Sequence, residues 1–213
     1  MDSPVSSIRR DKAFGLRERN KRDKLRRIKD AATELFLEKG FDDTTTRAIA
    51  LRAGVGLGTV FVYAPTKRDL LFLIINEELQ TEVDRSTALV QERRSLLDNL
   101  MRVFRAHYRY FGQRPTLSRL ALREMMFYAA GPQAQKFLNT RERLIALIET
   151  AVTMAIDKKE IAPREDAKLV AWVIFSIYQI EIRHWLSSDD LDLAKGADFL
   201  KRQLILFVEG LAP

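Results

Sequence analysis

Apolar residues recur along most of this chain at the spacing of helices and almost nowhere alternate as in strands. The first such face carries Leu25, Ile28, Ala32, Leu35 and Phe36. Their i, i+3, i+7 spacing is that of an amphipathic helix. Gly40 follows as a residue suited to the position after a helix end. The pattern predicts a first helix from about residue 18 to this glycine.

Three further helices are predicted in quick succession. Thr45 can cap a second helix over residues 46–53, and Gly54 ends it. A third short helix covers 56–63, and Thr66 can cap a fourth that runs into the 80s. The remaining chain predicts only long helices, at about 92–112, 116–129, 133–158, 164–187 and 194–211. The expected fold class is all-α, with about nine helices.

The charge is concentrated at one end of the chain. Residues 1–70 hold 16 of the 36 Lys and Arg residues and 10 of the 29 Asp and Glu residues, a net charge of +6 out of +7. Such a cluster favours a polyanion, either nucleic acid or an anionic membrane. A solvated basic tail is the alternative. We expect residues 1–17 to form a basic flexible arm.

The residue types exclude several kinds of chemistry. The chain has no cysteine and two histidines, His107 and His184, without a carboxylate at metal-ligand spacing beside either. A disulfide scaffold, a thiol nucleophile and a cysteine-ligated zinc site are therefore excluded. We predict no catalytic residue, no metal site, no cofactor and no enzyme activity. The longest apolar stretch is too short to span a bilayer, and no secretory signal is visible, so we expect a cytoplasmic protein without membrane contact.

The second and third predicted helices have the character of a helix-turn-helix. Gly54 can adopt the left-handed conformation of the turn, and Ala50 and Ala53 are small enough for two helices to cross closely. An ordinary corner between two helices is the alternative. The basic helix that precedes the pair favours DNA binding, with the third helix in a major groove.

Residues 25–71 resemble the tetracycline-repressor (TetR) family of bacterial transcription regulators. The resemblance lies in three stretches. The first is Ile28 to Phe36, and the second, from Gly40 to Ala50, contains GF followed by TTTRAIA. The third, from Ala53 to Leu71, contains AGV, GTVFVY and PTKRDLL. It implies a helix-turn-helix domain over 18–66 and a helical ligand-binding and dimerisation domain over 67–213. The DNA-binding candidates, with two arginines of the arm added, are Thr45, Arg47, Gly56, Leu57, Gly58, Thr59, Val62, Tyr63, Lys67, Arg17 and Arg19.

The third helix departs from the family pattern by being more apolar. Gly56, Leu57, Phe61 and Val62 stand where the family usually has polar or hydroxyl-bearing residues. Leu57 and Val62 can contact thymine methyl groups but make no bidentate hydrogen bonds to bases. The alternative is that one of them packs inward.

The second domain offers candidates for a ligand site and a dimer interface. Segment 164–187 is apolar nearly all round, and the last helix has two apolar faces, so one side can meet a second copy. A thickly packed monomer is the alternative. The predicted dimer residues are Phe199, Gln203, Leu204, Leu206 and Phe207. The predicted ligand residues, each of which could instead be plain core, are Phe104, His107, Tyr108, Phe111, Met125, Met126, Tyr128, Trp172, Phe175, Tyr178 and Gln179.

Together these features predict a ligand-responsive, homodimeric transcription regulator. We expect a repressor that binds a palindromic operator in double-stranded DNA and is released by a small, largely apolar or aromatic effector. The alternative is an architectural or ligand-independent DNA-binding protein.

Overall fold

The computed structural model describes the backbone of residues 4–211 and the side chains of residues 17–211. Within this range the chain forms nine helices and no strands, which confirms the predicted all-α class. The helices are α1 (Pro4–Lys39), α2 (Thr46–Arg52), α3 (Leu57–Tyr63), α4 (Lys67–Thr87), α5 (Leu96–Gln113), α6 (Pro115–Met125), α7 (Ala134–Asp157), α8 (Ala167–Ser187) and α9 (Leu193–Glu209). None of the described helices is long and apolar enough to cross a membrane.

The structure differs from the sequence-based expectation most at the start of the chain. The predicted arm covers residues 1–17, but α1 extends back to Pro4. Lysine and arginine, which are abundant in this segment, favour helices, and proline is well suited to a first helical position. The absence of an apolar face therefore did not prevent a helical backbone. The part of the arm at residues 1–3 lies outside the described residues.

The chain divides into two compact units, Met1–Ile74 and Ile75–Pro213, so α4 contributes to both. The first unit is built from α1, α2, α3 and the start of α4. Its core consists of side chains withdrawn from solvent, namely Ile28, Ala32, Leu35, Phe36, Ile49, Ala50, Val60, Ala64, Leu70 and Leu71. The apolar face predicted for the first helix supplies four of these residues.

The second unit packs α8 against α7 and α9, and α5 against α9. Trp185 of α8 is nearly buried among them, and its indole N–H donates to the Asp192 carbonyl oxygen at 3.0 Å. A Cβ atom at Gly112 of α5 would lie 2.9 Å from the Trp185 ring, and one at Gly196 of α9 would lie closer still. Two glycines thus make room for the ring, which locks three helices together.

Candidate DNA interface and effector cavity

The connection between α2 and α3 has the geometry that a helix-turn-helix requires. The Thr45 hydroxyl accepts a hydrogen bond from the Ala48 N–H at 3.1 Å, as expected of an N-cap. Gly54 has a φ of +62°, in the left-handed region. The Val55 N–H then donates to the Ala50 carbonyl at 3.0 Å and closes the turn. The predicted cap and turn are both confirmed.

A charged clamp holds α2 on α1. The Arg52 guanidinium donates to Glu34 at 3.1 Å and to Glu38 at 2.9 Å, and both carboxylates project from α1. The hydrogen bonds that Arg52 donates to Glu38 and Glu34 raise its pKa, and the bond to Glu38 lowers the pKa of that carboxyl. Because this arginine is occupied by α1, it is less suited to reading DNA than Arg47, which is exposed at the start of α2.

All eleven predicted DNA-binding residues belong to the first unit, and none is buried. Solvent-exposed members are Arg17, Arg19, Thr45, Arg47, Gly56, Gly58 and Val62; half-buried members are Leu57, Thr59, Tyr63 and Lys67. The Tyr63 hydroxyl reaches the Lys21 carbonyl oxygen of α1 at 3.4 Å. The tyrosine thus braces α3 on the basic helix.

The apolar surface of α3 is exposed rather than turned inward. Val62 is 80% exposed and Phe61 43% exposed, while Leu57 is half-buried. Leu51 at the end of α2 is also exposed, and the sequence analysis did not select it. Exposed large apolar side chains beside a basic helix suit contact with thymine methyl groups in a major groove.

Lys67 has partners that the sequence did not predict. Its ammonium donates to the Phe41 carbonyl oxygen at 2.7 Å and to the Asp42 carbonyl oxygen at 2.8 Å, and it lies 4.9 Å from the centre of the Phe41 ring. An ammonium has three N–H donors, so one remains for a DNA phosphate. Lys67 therefore ties the α1–α2 loop to α4 and can still serve as the predicted phosphate ligand.

We expect Lys67→Ala to weaken binding to operator and random DNA by similar factors. It should flatten the slope of log affinity against log salt concentration by about one unit, because one phosphate contact is lost. It should also lower the free energy of unfolding by about 1 kcal/mol, since two carbonyl groups lose their donor. Binding isotherms at several salt concentrations and thermal unfolding measure both effects. Lys39→Ala, at an exposed lysine of α1, is the control. If the salt slope of Lys67→Ala equals that of wild type, Lys67 does not contact a phosphate.

The second unit contains an apolar cavity lined by residues of α4, α5, α6, α7 and α8. Its volume is about 40 Å³. The lining residues are Leu79, Val83, His107, Phe111, Met125, Phe137, Thr140, Arg141, Leu144, Phe175, Tyr178 and Gln179. A cavity of this volume holds about one or two water molecules. A larger ligand therefore requires these helices to separate.

A larger surface recess, of about 240 Å³, adjoins the cavity. Both are lined by Met125, Phe137, Arg141, Phe175 and Gln179, and we therefore interpret the recess as the opening of the cavity. Its outer part is formed by Met126, Trp172, Ser176, Ile180 and Arg183.

Six of the eleven predicted ligand residues line the cavity: His107, Phe111, Met125, Phe175, Tyr178 and Gln179. Met126 and Trp172 line only the opening. Phe104, Tyr108 and Tyr128 line neither and serve the core, since Phe104 stacks on Tyr178 with ring centres 4.5 Å apart. Tyr108 packs against Trp185, and Tyr128 lies near Phe137.

The cavity residues contributed by α4 and α7 were not predicted from the sequence. Leu79 and Val83 lie in the half of α4 that belongs to the second unit. Arg141 of α7 lines both the cavity and its opening, and its Nε atom is buried without a hydrogen-bond partner. In the sequence, Arg141 stands in the charged run Arg141-Glu142-Arg143, typical of a solvated face.

An exposed apolar face runs along α8 and α9. Its large side chains are Leu169, Trp172, Val173, Ile180, Phe199 and Leu206. Of the predicted dimer residues, Phe199 and Leu206 are exposed and Gln203 and Phe207 half-buried, whereas Leu204 is 0% exposed. Leu204 does not lie on this face, because it points from α9 into the core of the same protomer.

A helix-turn-helix head joined to a helical unit with an internal apolar cavity is the architecture of a transcription regulator that senses a small molecule. Residues 28–74 match the family model described as bacterial regulatory proteins, tetR family. The fatty acid metabolism regulator protein of Bacillus subtilis is 25% identical over 174 residues, which are 80% of this chain and 88% of that protein. The transcriptional repressor KstR of Mycobacterium tuberculosis is 25% identical over 86% of this chain and 81% of its own.

Solved structures show the same fold. FadR of Bacillus subtilis, in complex with stearoyl-CoA, has a TM-score of 0.67 and 23% identity over 84% of this chain and 96% of that one. FadR of Thermus thermophilus, in complex with lauroyl-CoA, has a TM-score of 0.61 and 22% identity over 85% of this chain and 93% of its own.

The chain carries, over residues 28–74, the DNA-binding domain of the TetR family of bacterial regulatory proteins. It is a ligand-responsive, DNA-binding repressor, as the sequence predicted, and the ligand-independent alternative has no support among these relatives. KstR is named as a helix-turn-helix transcriptional repressor, and the two FadR structures hold acyl-CoA ligands. The relatives are transcriptional regulators rather than enzymes.

Proposed function

We propose that this protein leaves its operator when the cavity of the second unit binds a fatty-acyl coenzyme A or a similar acyl thioester. The observation that carries the proposal is the apolar cavity with an arginine where it meets its opening. Hydrocarbon buried there gains about 0.8 kcal/mol per CH₂ group. The sites proposed for DNA and effector are those described above, and the proposal includes no catalytic step. The cytoplasm, where bacterial DNA lies, is the proposed site of action.

Charge and chemistry at the opening suit the polar part of such a ligand. Arg141 can donate to a thioester carbonyl or phosphate oxygen, because its Nε has no partner within the described residues. Arg183 also lines the opening, but its guanidinium already donates to the carbonyl and side-chain oxygens of Gln179 at 2.6 Å each. Arg141 is therefore the better anchor. Two relatives whose structures hold stearoyl-CoA and lauroyl-CoA support this choice of ligand class.

The small cavity supplies a mechanism for release. An acyl chain needs far more than 40 Å³, so it binds a conformation in which the lining helices have moved apart. Leu79 and Val83 place α4 in that lining, and α4 is one continuous helix from Lys67 to Thr87. Polar contacts hold its second half, including those of Asn76 with the Gln133 carbonyl oxygen at 3.0 Å and of Asp84 with Arg143. A ligand that displaces this half of α4 disturbs the helix that begins at the DNA-binding unit.

The test starts with selection of an operator from random DNA by the purified protein. The complex is then titrated with lauroyl-CoA, stearoyl-CoA and coenzyme A alone, and release is measured by fluorescence anisotropy. We expect release by the acyl thioesters only. Arg141→Met should raise the concentration needed about tenfold, equivalent to about 1.4 kcal/mol, without changing operator affinity. Arg105→Met, at an exposed arginine of α5, is the matched control. Failure of every acyl thioester to release the DNA would refute the proposal.

A further inference from the structure

The cavity contains a polar pair that a plain hydrocarbon chain would leave unsatisfied. His107 of α5 and Tyr178 of α8 are both fully buried, and the His107 Nδ1 and Tyr178 hydroxyl oxygen lie 3.0 Å apart. The other ring nitrogen, His107 Nε2, is buried and has no hydrogen-bond partner among the residues that the structure describes. Burial lowers the pKa of His107 to about 4, so the ring is neutral at physiological pH.

The pairing determines which ring nitrogen carries the hydrogen. If the Tyr178 hydroxyl donates to Nδ1, the ring proton lies on Nε2, and only that N–H lacks a partner. If Nδ1–H donates instead, the hydroxyl hydrogen and the Nε2 lone pair both lack one, since Tyr178 has no second partner among the described residues. Unpaired buried polar groups cost free energy, so the first arrangement is favoured. His107 Nε2 is therefore a donor.

Two donors thus lie at different depths of one cavity. Arg141 lines both the cavity and the opening, whereas His107 lines the cavity alone. Two other polar atoms of the lining are already paired, because the Thr140 hydroxyl donates to the Lys136 carbonyl at 3.0 Å and the Gln179 side-chain oxygen accepts from Arg183. A matching ligand has one acceptor at the opening and a second further along its apolar part.

We propose that the effector is an acyl thioester with a keto or hydroxyl oxygen on its hydrocarbon part, and that His107 Nε2–H binds this oxygen. This inference rests on the proposed function and names the ligand class more closely. A carbonyl or hydroxyl oxygen accepts one N–H without bringing a charge into the apolar cavity. A site that donates a buried hydrogen bond discriminates against an analogue that lacks the acceptor.

Titration calorimetry with matched ligands tests the proposal. Lauroyl-CoA is compared with keto analogues that carry the oxygen near the thioester, in mid-chain or near the methyl end. We expect at least one keto analogue to bind wild-type protein about tenfold or more tightly than lauroyl-CoA. His107→Leu should remove this preference while binding lauroyl-CoA at least as tightly as wild type. His184→Gln, at the exposed second histidine, should keep the preference.

The outcomes separate the two proposals. If lauroyl-CoA binds and no keto analogue binds better, or if His107→Leu keeps the preference, the oxygen-binding role is refuted and the acyl-thioester proposal stands. If no member of the series binds, both are refuted. His107→Phe, which has a ring of similar shape and no donor, serves the same purpose if the leucine variant does not fold. Nitrogen-15 spectra, which contain only two histidine rings, should show hydrogen on His107 Nε2; hydrogen on Nδ1 would refute the proposed donor directly.

Discussion

Leu206→Glu should convert the dimer into a folded monomer and abolish tight operator binding. Leu206 is 73% exposed on the apolar face of α8 and α9, so the substitution removes nothing from the core of its own protomer. A twofold interface contains the substituted residue of both protomers, so its effect on the free energy of dimerisation is doubled. Burial of a carboxylate without a partner is strongly unfavourable. We expect the dimer dissociation constant to rise at least about 100-fold, equivalent to about 2.7 kcal/mol. Operator affinity should fall with it, because a palindromic site requires two heads.

Sedimentation, circular dichroism and operator binding measure these effects separately. Wild-type protein should sediment near twice 24.6 kDa, and Leu206→Glu near the monomer mass with its helical content unchanged. Leu204→Glu should instead unfold the second unit, since that side chain is fully buried only two residues away. Leu37→Glu, at an exposed leucine of α1, should remain dimeric. A Leu206→Glu protein that is as dimeric as wild type would show that this face is not the interface.

An operator in which deoxyuridine replaces every thymidine should bind at least about tenfold more weakly. Val62 and its neighbour Phe61 expose apolar surface on α3, and uracil lacks only the methyl group that such side chains contact. One buried methyl contributes about 0.8 kcal/mol, and the two half-sites of a palindrome double that value. The expected loss of about 1.6 kcal/mol or more corresponds to more than a tenfold change in affinity.

The same assay on variants identifies the side chain responsible. Val62→Ala should weaken binding to the thymine operator and reduce the penalty for uracil. Leu37→Ala alters an exposed apolar residue of α1 and should leave the penalty unchanged. If wild-type protein bound the thymine and uracil operators equally well, α3 would not recognise thymine methyl groups. Sequence specificity would then come from Arg47, Thr59 and DNA shape.

The helix-turn-helix could be predicted because its signals are local. Thr45 and Thr66 cap the helices that follow them, and Gly54 adopts the positive φ of the turn. Each of these features depends on a few neighbouring residues and on the backbone conformation that they allow. The apolar spacing of α1 likewise predicted four of its core residues, although the predicted Leu25 is only half-buried and the buried Ala31 was not predicted.

The effector cavity could be predicted only in part, because its members come from five helices that are spread along the chain. In the sequence, Phe104 and Phe175 are equivalent aromatic residues on apolar helix faces, yet only Phe175 lines the cavity. Arg141 could not be selected from the sequence because it stands in a charged run, and spacing alone does not show which arginine of the run points inward. Its Nε atom is buried because α7 packs against neighbouring helices, and this packing exists only in the folded chain.

Sequence alone determined the all-α class, the helix-turn-helix and its basic surroundings, since periodicity, capping and charge are properties of short segments. Tertiary structure decided which side of each apolar helix is covered by the same chain. Leu204 and Leu206 differ little in sequence context, but the packing of α9 buries the first and exposes the second. It also decided that His107 pairs with Tyr178 and leaves a buried ring nitrogen at the cavity, because residues 71 positions apart meet only in the folded chain.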